Sequence, residues 1–239
     1  MCGRVSLTKA IEPVEQRFNV KYTGDREWPI YYNGAPSQYY PVITNENPEQ
    51  IQLFRWGLIP SWSKQPETKY SMINAKAETL EEKRSYKGPF QKRRCLVIVD
   101  GFYEWKKTGN SKQPYRIRLE NESLFAFAGL YEIWKNDEQV LPSFTIITTE
   151  PNSVMENIHN RMPVILPKEV ELQWLDNSLE TDELKPLLRP YPKDDLTAYP
   201  VSKIVNNPKN NQPDVIRPID DSTKNDPNDT GEDGQAELF

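Results

Sequence analysis

Histidine occurs once in 239 residues and cysteine only twice. A disulfide framework is therefore excluded, as is a Cys/His zinc centre, which needs ~4 ligands. No metal and no cofactor is expected. Long hydrophobic runs are missing too. The apolar stretches 95-CLVIV-99 and 124-LFAFAGL-130 are far shorter than the ~20 residues that span a bilayer. The start, 1-MCGRVSLTKAIEPVEQ-16, lacks the apolar segment of a secretory signal. The expectation is a cytoplasmic, monomeric protein with no membrane contact, of a length that suits one large domain.

An excess of positive charge is absent as well: the chain carries 30 basic and 35 acidic side chains, a net charge of −5. That balance does not exclude an anionic partner, because the charge is unevenly spread. Residues 207–239 hold eight acidic against three basic groups, which is the whole net charge, so residues 1–206 are neutral and free to carry a basic face. The segment 207–239 is rich in Asn, Asp and Pro and poor in apolar groups to offset its ordering entropy. It reads as an acidic, largely disordered tail, with 214-DVIRPI-219 packing on the body. Residues 1–206 show no repeat and no internal linker, so they form one domain.

What the chain does have is strand signal. Residues 50–59 mix β-branched and aromatic side chains, and 115-YRIRL-119 alternates with period two. Residues 95–99, 124–131, 143–149 and 162–166 read as buried strands, and 106-KKTGNSKQP-114 as a hairpin-like loop. Short helices are expected over 8–18 with Thr8 as N-cap, over 151–159, 167–175 and 181–188, the last distorted by Pro186. The fold class is α+β: a distorted, mostly antiparallel barrel-like sheet with short flanking helices.

Candidate chemistry begins with Cys2. Initiator methionine is removed when a small residue follows, which would leave Cys2 with two nucleophiles on adjacent carbons. Its α-amine titrates near ~7.7–8.0 and its thiol near ~8.5, so both are partly free at neutral pH. Such an amine condenses with aldehydes to a Schiff base, and the thiol can then close a five-membered thiazolidine. By position alone, a cysteine near a chain end is more often just a small residue. His159, in 158-IHNRMP-163, is the one side chain whose ordinary pKa lies near neutrality. Arg161 beside it offers a planar fork suited to phosphate. Glu104 stands among aromatics in 100-DGFYEW-105, where desolvation should raise its pKa into a useful range. Asn74 supplies a neutral amide for an oxyanion or hydroxyl, and Lys76 shares its face on an extended backbone. In 54-FRWGLIPSW-62, Trp56 and Trp62 are stacking candidates of which one belongs to the core. The basic run 83-KRSYKGPFQKRR-94 is either a phosphate-tracking face or a solvated surface.

Taken together, 1-MCGR-4, 55-RWGLIPSW-62, 72-MINAKAET-79, 95-CLV-97 with 101-GFYEW-105, and 159-HNRMP-163 resemble the SRAP family (SOS response-associated peptidase) in order and spacing over roughly residues 1–205. The resemblance implies a distorted β-barrel domain that binds single-stranded DNA containing abasic sites. It implies that Cys2, exposed by loss of Met1 through self-processing or an aminopeptidase, forms a thiazolidine crosslink with the ring-opened sugar. Carried over residue by residue, Asn74 would position the sugar, while Glu104 and His159 would handle protons. Arg4 and Arg161 would contact phosphates and Trp62 would stack near the lesion. Lys76 departs from the family's usual arginine, which keeps the charge but loses the bidentate fork. Two other readings use the same residues: an N-terminal-nucleophile peptidase with Cys2 attacking amides, and a non-covalent binder of single-stranded or modified DNA.

Overall fold

The computed structural model describes residues 2–66 and 72–219. In chain order its strands begin with β1 (Val5–Leu7), β2 (Lys21–Tyr22), β3 (Tyr31–Gly34), β4 (Tyr39–Thr44) and β5 (Asn47–Trp56). There follow β6 (Asn74–Lys76), β7 (Arg94–Val99), β8 (Gly101–Thr108), β9 (Ser111–Leu119), β10 (Phe125–Lys135) and β11 (Val140–Thr149). The last are β12 (Met162–Pro163), β13 (Ile165–Leu166) and β14 (Leu196–Pro200). The helices are α1 (Ile11–Phe18), α2 (Arg84–Lys92), α3 (Glu171–Leu175) and α4 (Thr181–Leu184).

β11, β10, β7, β4 and β5 pair in that order, and β5 returns to β11 in parallel through Ser143↔Arg55 and Phe144↔Trp56. The result is a closed five-stranded mixed barrel, with β6 added to β11 in parallel and β2, β12 and β13 as further additions. A second sheet, ordered β14-β9-β8-β1-β3, stands beside it. This is the expected α+β architecture.

The period-two geometry of strands explains the continuous apolar run in β7. Cys95, Val97 and Val99 enter one core with Val5, Phe102, Ile117 and Leu196 of the second sheet. Leu96 and Ile98 point the other way, into a core with Val14 of α1, Phe90 of α2, Trp174 of α3 and Leu184 of α4. Both faces of β7 are therefore buried, and each such side chain contributes about 1.5–3 kcal/mol.

Several local expectations are corrected. Thr8 does not cap α1: helix α1 starts at Ile11, and the Thr8 hydroxyl and backbone N–H both donate to Asp100 at 2.6 Å. A buried carboxylate within reach outcompetes the cap. Helix α1 ends where Asn19 turns left-handed (φ 54°) and donates back to the Glu15 carbonyl. Residues 151–159 form successive turns rather than a helix. Residues 106–114 are mostly strand, because a tight turn at Gly109–Asn110 lets β8 and β9 pair as far as Thr108↔Ser111. The basic run at 83–94 is helix α2, despite Gly88 and Pro89 inside it. Of the segment from 207 onward, residues 207–219 are described and lie on the second sheet: Val215 is buried and Pro218 bridges Val201. The rest of that segment lies outside the described residues. Among the described residues no helix is long and apolar enough to cross a membrane.

Candidate functional site

The site forms where the barrel and the second sheet meet. Just before β1, Arg4 accepts a hydrogen bond from the Tyr103 N–H at 2.9 Å, which runs the chain start alongside β8. Cys2 is thereby carried into the first core, where it is fully buried in the same cluster as Tyr40 and Phe102. From the barrel, β6 follows β11 with Asn74 level with Ile146. The Asn74 Nδ2 donates to the Cys2 carbonyl at 2.8 Å, and the Tyr86 hydroxyl donates to the Asn74 carbonyl at 3.2 Å. The Asn74 Oδ1 is buried without a partner among the described residues. A buried amide oxygen held in this way is a ready acceptor for a ligand hydroxyl or amine.

Glu104 lies on β8, 2% exposed. Burial raises its carboxyl from 4.5 to about 7, which makes it a group able to give or take a proton near neutral pH. Burial also pushes the Cys2 thiol up, with the Glu104 charge as the second cause, so the thiol is held protonated next to a carboxyl. Cys95, the other free cysteine, is raised by burial alone and serves the core.

His159 closes the turn that carries Met155, which is buried in the same core as Cys2. Its Nδ1 lies 3.1 Å from the Arg161 backbone nitrogen and 3.2 Å from the Arg161 carbonyl oxygen. Burial lowers its pKa, so the neutral ring prevails at pH 7. Arg161 grips Glu78 with both guanidinium nitrogens, at 2.6 and 2.9 Å, and donates to the Thr148 carbonyl at 2.6 Å. The blocks 72–79 and 159–163 are thus clasped together beside Cys2.

Contacts therefore join Cys2 directly to Asn74, and the Glu104 charge acts on its thiol. Arg161 ties His159 to the turn after β6. Lys76 is exposed at the end of β6, two residues from Asn74 on the same face. Arg4 is chain-adjacent to Cys2, but its guanidinium leads elsewhere: Nη1 donates to Asn33 Oδ1 at 2.7 Å and to the Val205 carbonyl at 2.8 Å, and the group lies over Trp105. Of the two tryptophans in 54–62, Trp56 is core, and Trp62 is 53% exposed with the Arg84 guanidinium 4.7 Å above its ring. Its loop is pinned on both sides, by Ser61 N–H to Glu132 and by Trp134 Nε1 to the Ser63 carbonyl. A cleft of about 420 Å³ lined by Lys9, Asp100, Arg116 and Tyr199 contains none of these residues.

Sequence reasoning missed three supporting residues. Glu78 sat within a noticed block without a role. Tyr40, buried in the same cluster as Cys2, reads as an ordinary strand aromatic. Asn33 leaves no sequence signal, since its Nδ2 partners are the carbonyls of Val205, Asn207 and Asn210.

A closed mixed barrel with an appended sheet, and a buried second-residue cysteine held at their junction, define a small single-domain architecture. The chain belongs to the SRAP family (SOS response associated peptidase), which it matches over residues 1–208. It is 47% identical over 221 residues to the abasic site processing protein YoqW of Bacillus subtilis, covering 90% of this chain and 99% of that one. It is 32% identical over 266 residues to the abasic site processing protein HMCES of Xenopus tropicalis, covering 92% of this chain and 78% of that one. A crystal structure of a protein from Bacteroides thetaiotaomicron superposes with a TM-score of 0.84 at 31% identity, covering 91% of this chain and all of its own.

Proposed function

We propose that this chain processes abasic sites in single-stranded DNA by forming a covalent thiazolidine through Cys2 once Met1 is gone. The observation that carries the reading is the Asn74 amide fastened to the Cys2 carbonyl beside a carboxyl that titrates at about 7. The relatives named above, whose names record abasic-site processing, support it.

The chemistry follows from the atoms. The Cys2 nitrogen adds to the aldehyde carbon of the open sugar, and the former aldehyde oxygen gains a proton. Glu104 in its acid form protonates that hydroxyl as it leaves as water, and an iminium and the Glu104 carboxylate result. The thiol then adds to the iminium: sulfur joins carbon, the C=N π electrons return to nitrogen, and the thiol proton passes to the Glu104 carboxylate, which restores the acid. The net change is loss of one water. Burial keeps the thiol protonated at rest, so removal of its proton by the Glu104 carboxylate as sulfur attacks is what makes it nucleophilic. Asn74 Oδ1 accepts from the freed sugar hydroxyl, and His159, neutral at pH 7, assists sugar opening and reversal. Lys76 meets a flanking phosphate and Trp62 supports an unstacked base, while Arg161, its fork held by Glu78 and Thr148, keeps the His159 turn against the block at 72–79. Arg4, whose fork is engaged by Asn33 and Val205, steadies the reactive end of the chain.

Incubation of Cys2→Ala and wild-type protein with an abasic single-stranded oligonucleotide, resolved on a denaturing gel, tests the reading. Wild type should give a stable shifted band and Cys2→Ala none. Equal crosslinking by both would remove Cys2 from the chemistry.

A further inference from the structure

The fifteen residues from Trp105 to Leu119 contain five cations and no carboxylate. Two of the five are already engaged: Arg116 pairs with Asp100 at 3.0 Å, and Arg118 with Glu122 at 3.4 Å. The other three, Lys106, Lys107 and Lys112, sit at the exposed end of the β8–β9 hairpin. Among the described residues no carboxylate reaches them, as is true of most lysines in this chain, while Lys21 and Lys193 hold one each and Lys185 two, at 2.6–2.8 Å.

The register makes this arrangement costly without a ligand. Lys107 stands directly across from Lys112, and Lys106 across from Gln113. Like charges directly opposite in an antiparallel pair are destabilising. A tight turn at Gly109 (φ +60°) holds them there, and a side chain at Gly109 would meet nothing within 4 Å, so the space on that side of the turn is open. An acidic residue at any of these positions would relieve the repulsion. The chain instead presents a rigid, two-stranded arm bearing three unneutralised charges.

Its placement points to a partner. By strand alternation Lys106 shares the face of Glu104, about 7 Å further along the same strand, while Lys107 and its cross-strand partner Lys112 share the opposite face with Trp105, where Arg4 lies over the indole ring and Asn206 accepts its proton at 2.8 Å. The end of the arm thus carries lysine on both faces, and a polyanion leaving the site at Cys2 and Glu104 would meet Lys106 first and the Lys107–Lys112 pair at the tip.

We propose that the β8–β9 hairpin is a phosphate-gripping arm, with Lys106, Lys107 and Lys112 neutralising the backbone of the DNA strand that flanks the lesion held at Cys2. This rests on the DNA-processing reading above and adds to it a second, sequence-independent contact. The arm acts on affinity and on strand length, while the reacting atoms at Cys2 are untouched by it.

The test is the triple variant Lys106→Gln/Lys107→Gln/Lys112→Gln, assayed for adduct formation against 2-deoxyribose, which carries no phosphate for the arm to hold, and against a long abasic oligonucleotide over a salt series. The expected result is an unchanged rate with 2-deoxyribose. On the long substrate, the slope of log affinity against log salt should fall by about 2, from three phosphates at roughly 0.7 each. An unchanged slope and rate on the long substrate would overturn the arm, and so would an equal loss on both substrates, which would place the lysines at the reacting centre. The wild-type chain guards the underlying reading separately: no adduct with either substrate would overturn that reading and the arm with it.

Discussion

At Glu104, chemistry and stability pull in opposite directions. The carboxyl is buried, and burial moves it from 4.5 to about 7. A raised acid pKa in the folded state means that the folded chain holds a proton the unfolded chain has released. The stability belonging to the protonated group is fully present below about pH 4.5 and lost as pH rises through about 7. The loss amounts to about 3 kcal/mol. Glu104→Gln keeps the shape and the neutral state, so above pH 7 it should melt higher than wild type, by up to about 10 °C, with little difference at pH 4. The same variant should crosslink slowly and lose the pH dependence centred near 7. Thermal melts and initial rates at both ends of that range check the pair of outcomes, and a pH-independent gap in melting temperature would contradict the argument. Cys2 and Glu104 were legible in the sequence because their chemistry depends on local facts: nearness to the chain start, and aromatic neighbours. Asn33 was not, since it acts through carbonyls about 170 residues away that no local pattern announces.

Among the elements, the barrel strands depend on close approach at Gly129 of β10. A Cβ there would stand 2.8 Å from a Val97 methyl, 2.9 Å from the Cys95 sulfur and 3.1 Å from the Thr145 carbonyl. All three neighbours are buried, and one is backbone, so little can give way. Gly129→Ala should therefore cost about 1–3 kcal/mol, read as a lower midpoint in urea with the slope unchanged. A midpoint equal to wild type would show that the barrel is looser than these distances indicate. Strands β7, β10 and β11 were readable because burial on both faces forces unbroken apolar runs. The short strands β1, β3 and β6 were not, since three or four residues carry too little pattern and their pairing partners are distant. Residues 151–159 have good helix-start chemistry yet form turns, because Asn152 is drawn into tertiary bonds: its side chain donates to the Tyr191 carbonyl at 3.2 Å. Local propensity yields to tertiary context there. Helix α2 was hidden by its charge, since a run of lysines and arginines around Gly88 and Pro89 reads as surface before it reads as helix.

For the molecule as a whole, the first residues are tied to the segment at 205–211. Asn33 gathers Arg4 from the one and the carbonyls of Val205, Asn207 and Asn210 from the other, while Asn211 donates to the Ile30 carbonyl at 3.0 Å and accepts from Tyr32. Truncation after Asn206 removes most of these partners along with buried Val215. It should lower the melting temperature by about 5 °C or more, for a loss of 2 kcal/mol or above, and slow crosslinking by loosening the strand that carries Cys2. Unaltered melting and rate would show that the clasp is incidental. The account's central claim is tested most directly at the bond itself. Wild-type protein is reacted with an abasic single-stranded oligonucleotide and digested with nuclease and protease, and the adducted peptide is sequenced by mass spectrometry. The predicted product is a peptide beginning at Cys2, without Met1, carrying the sugar remnant on its first residue with the loss of one water. An adduct on a lysine, or on a peptide that still begins with Met1, would contradict it.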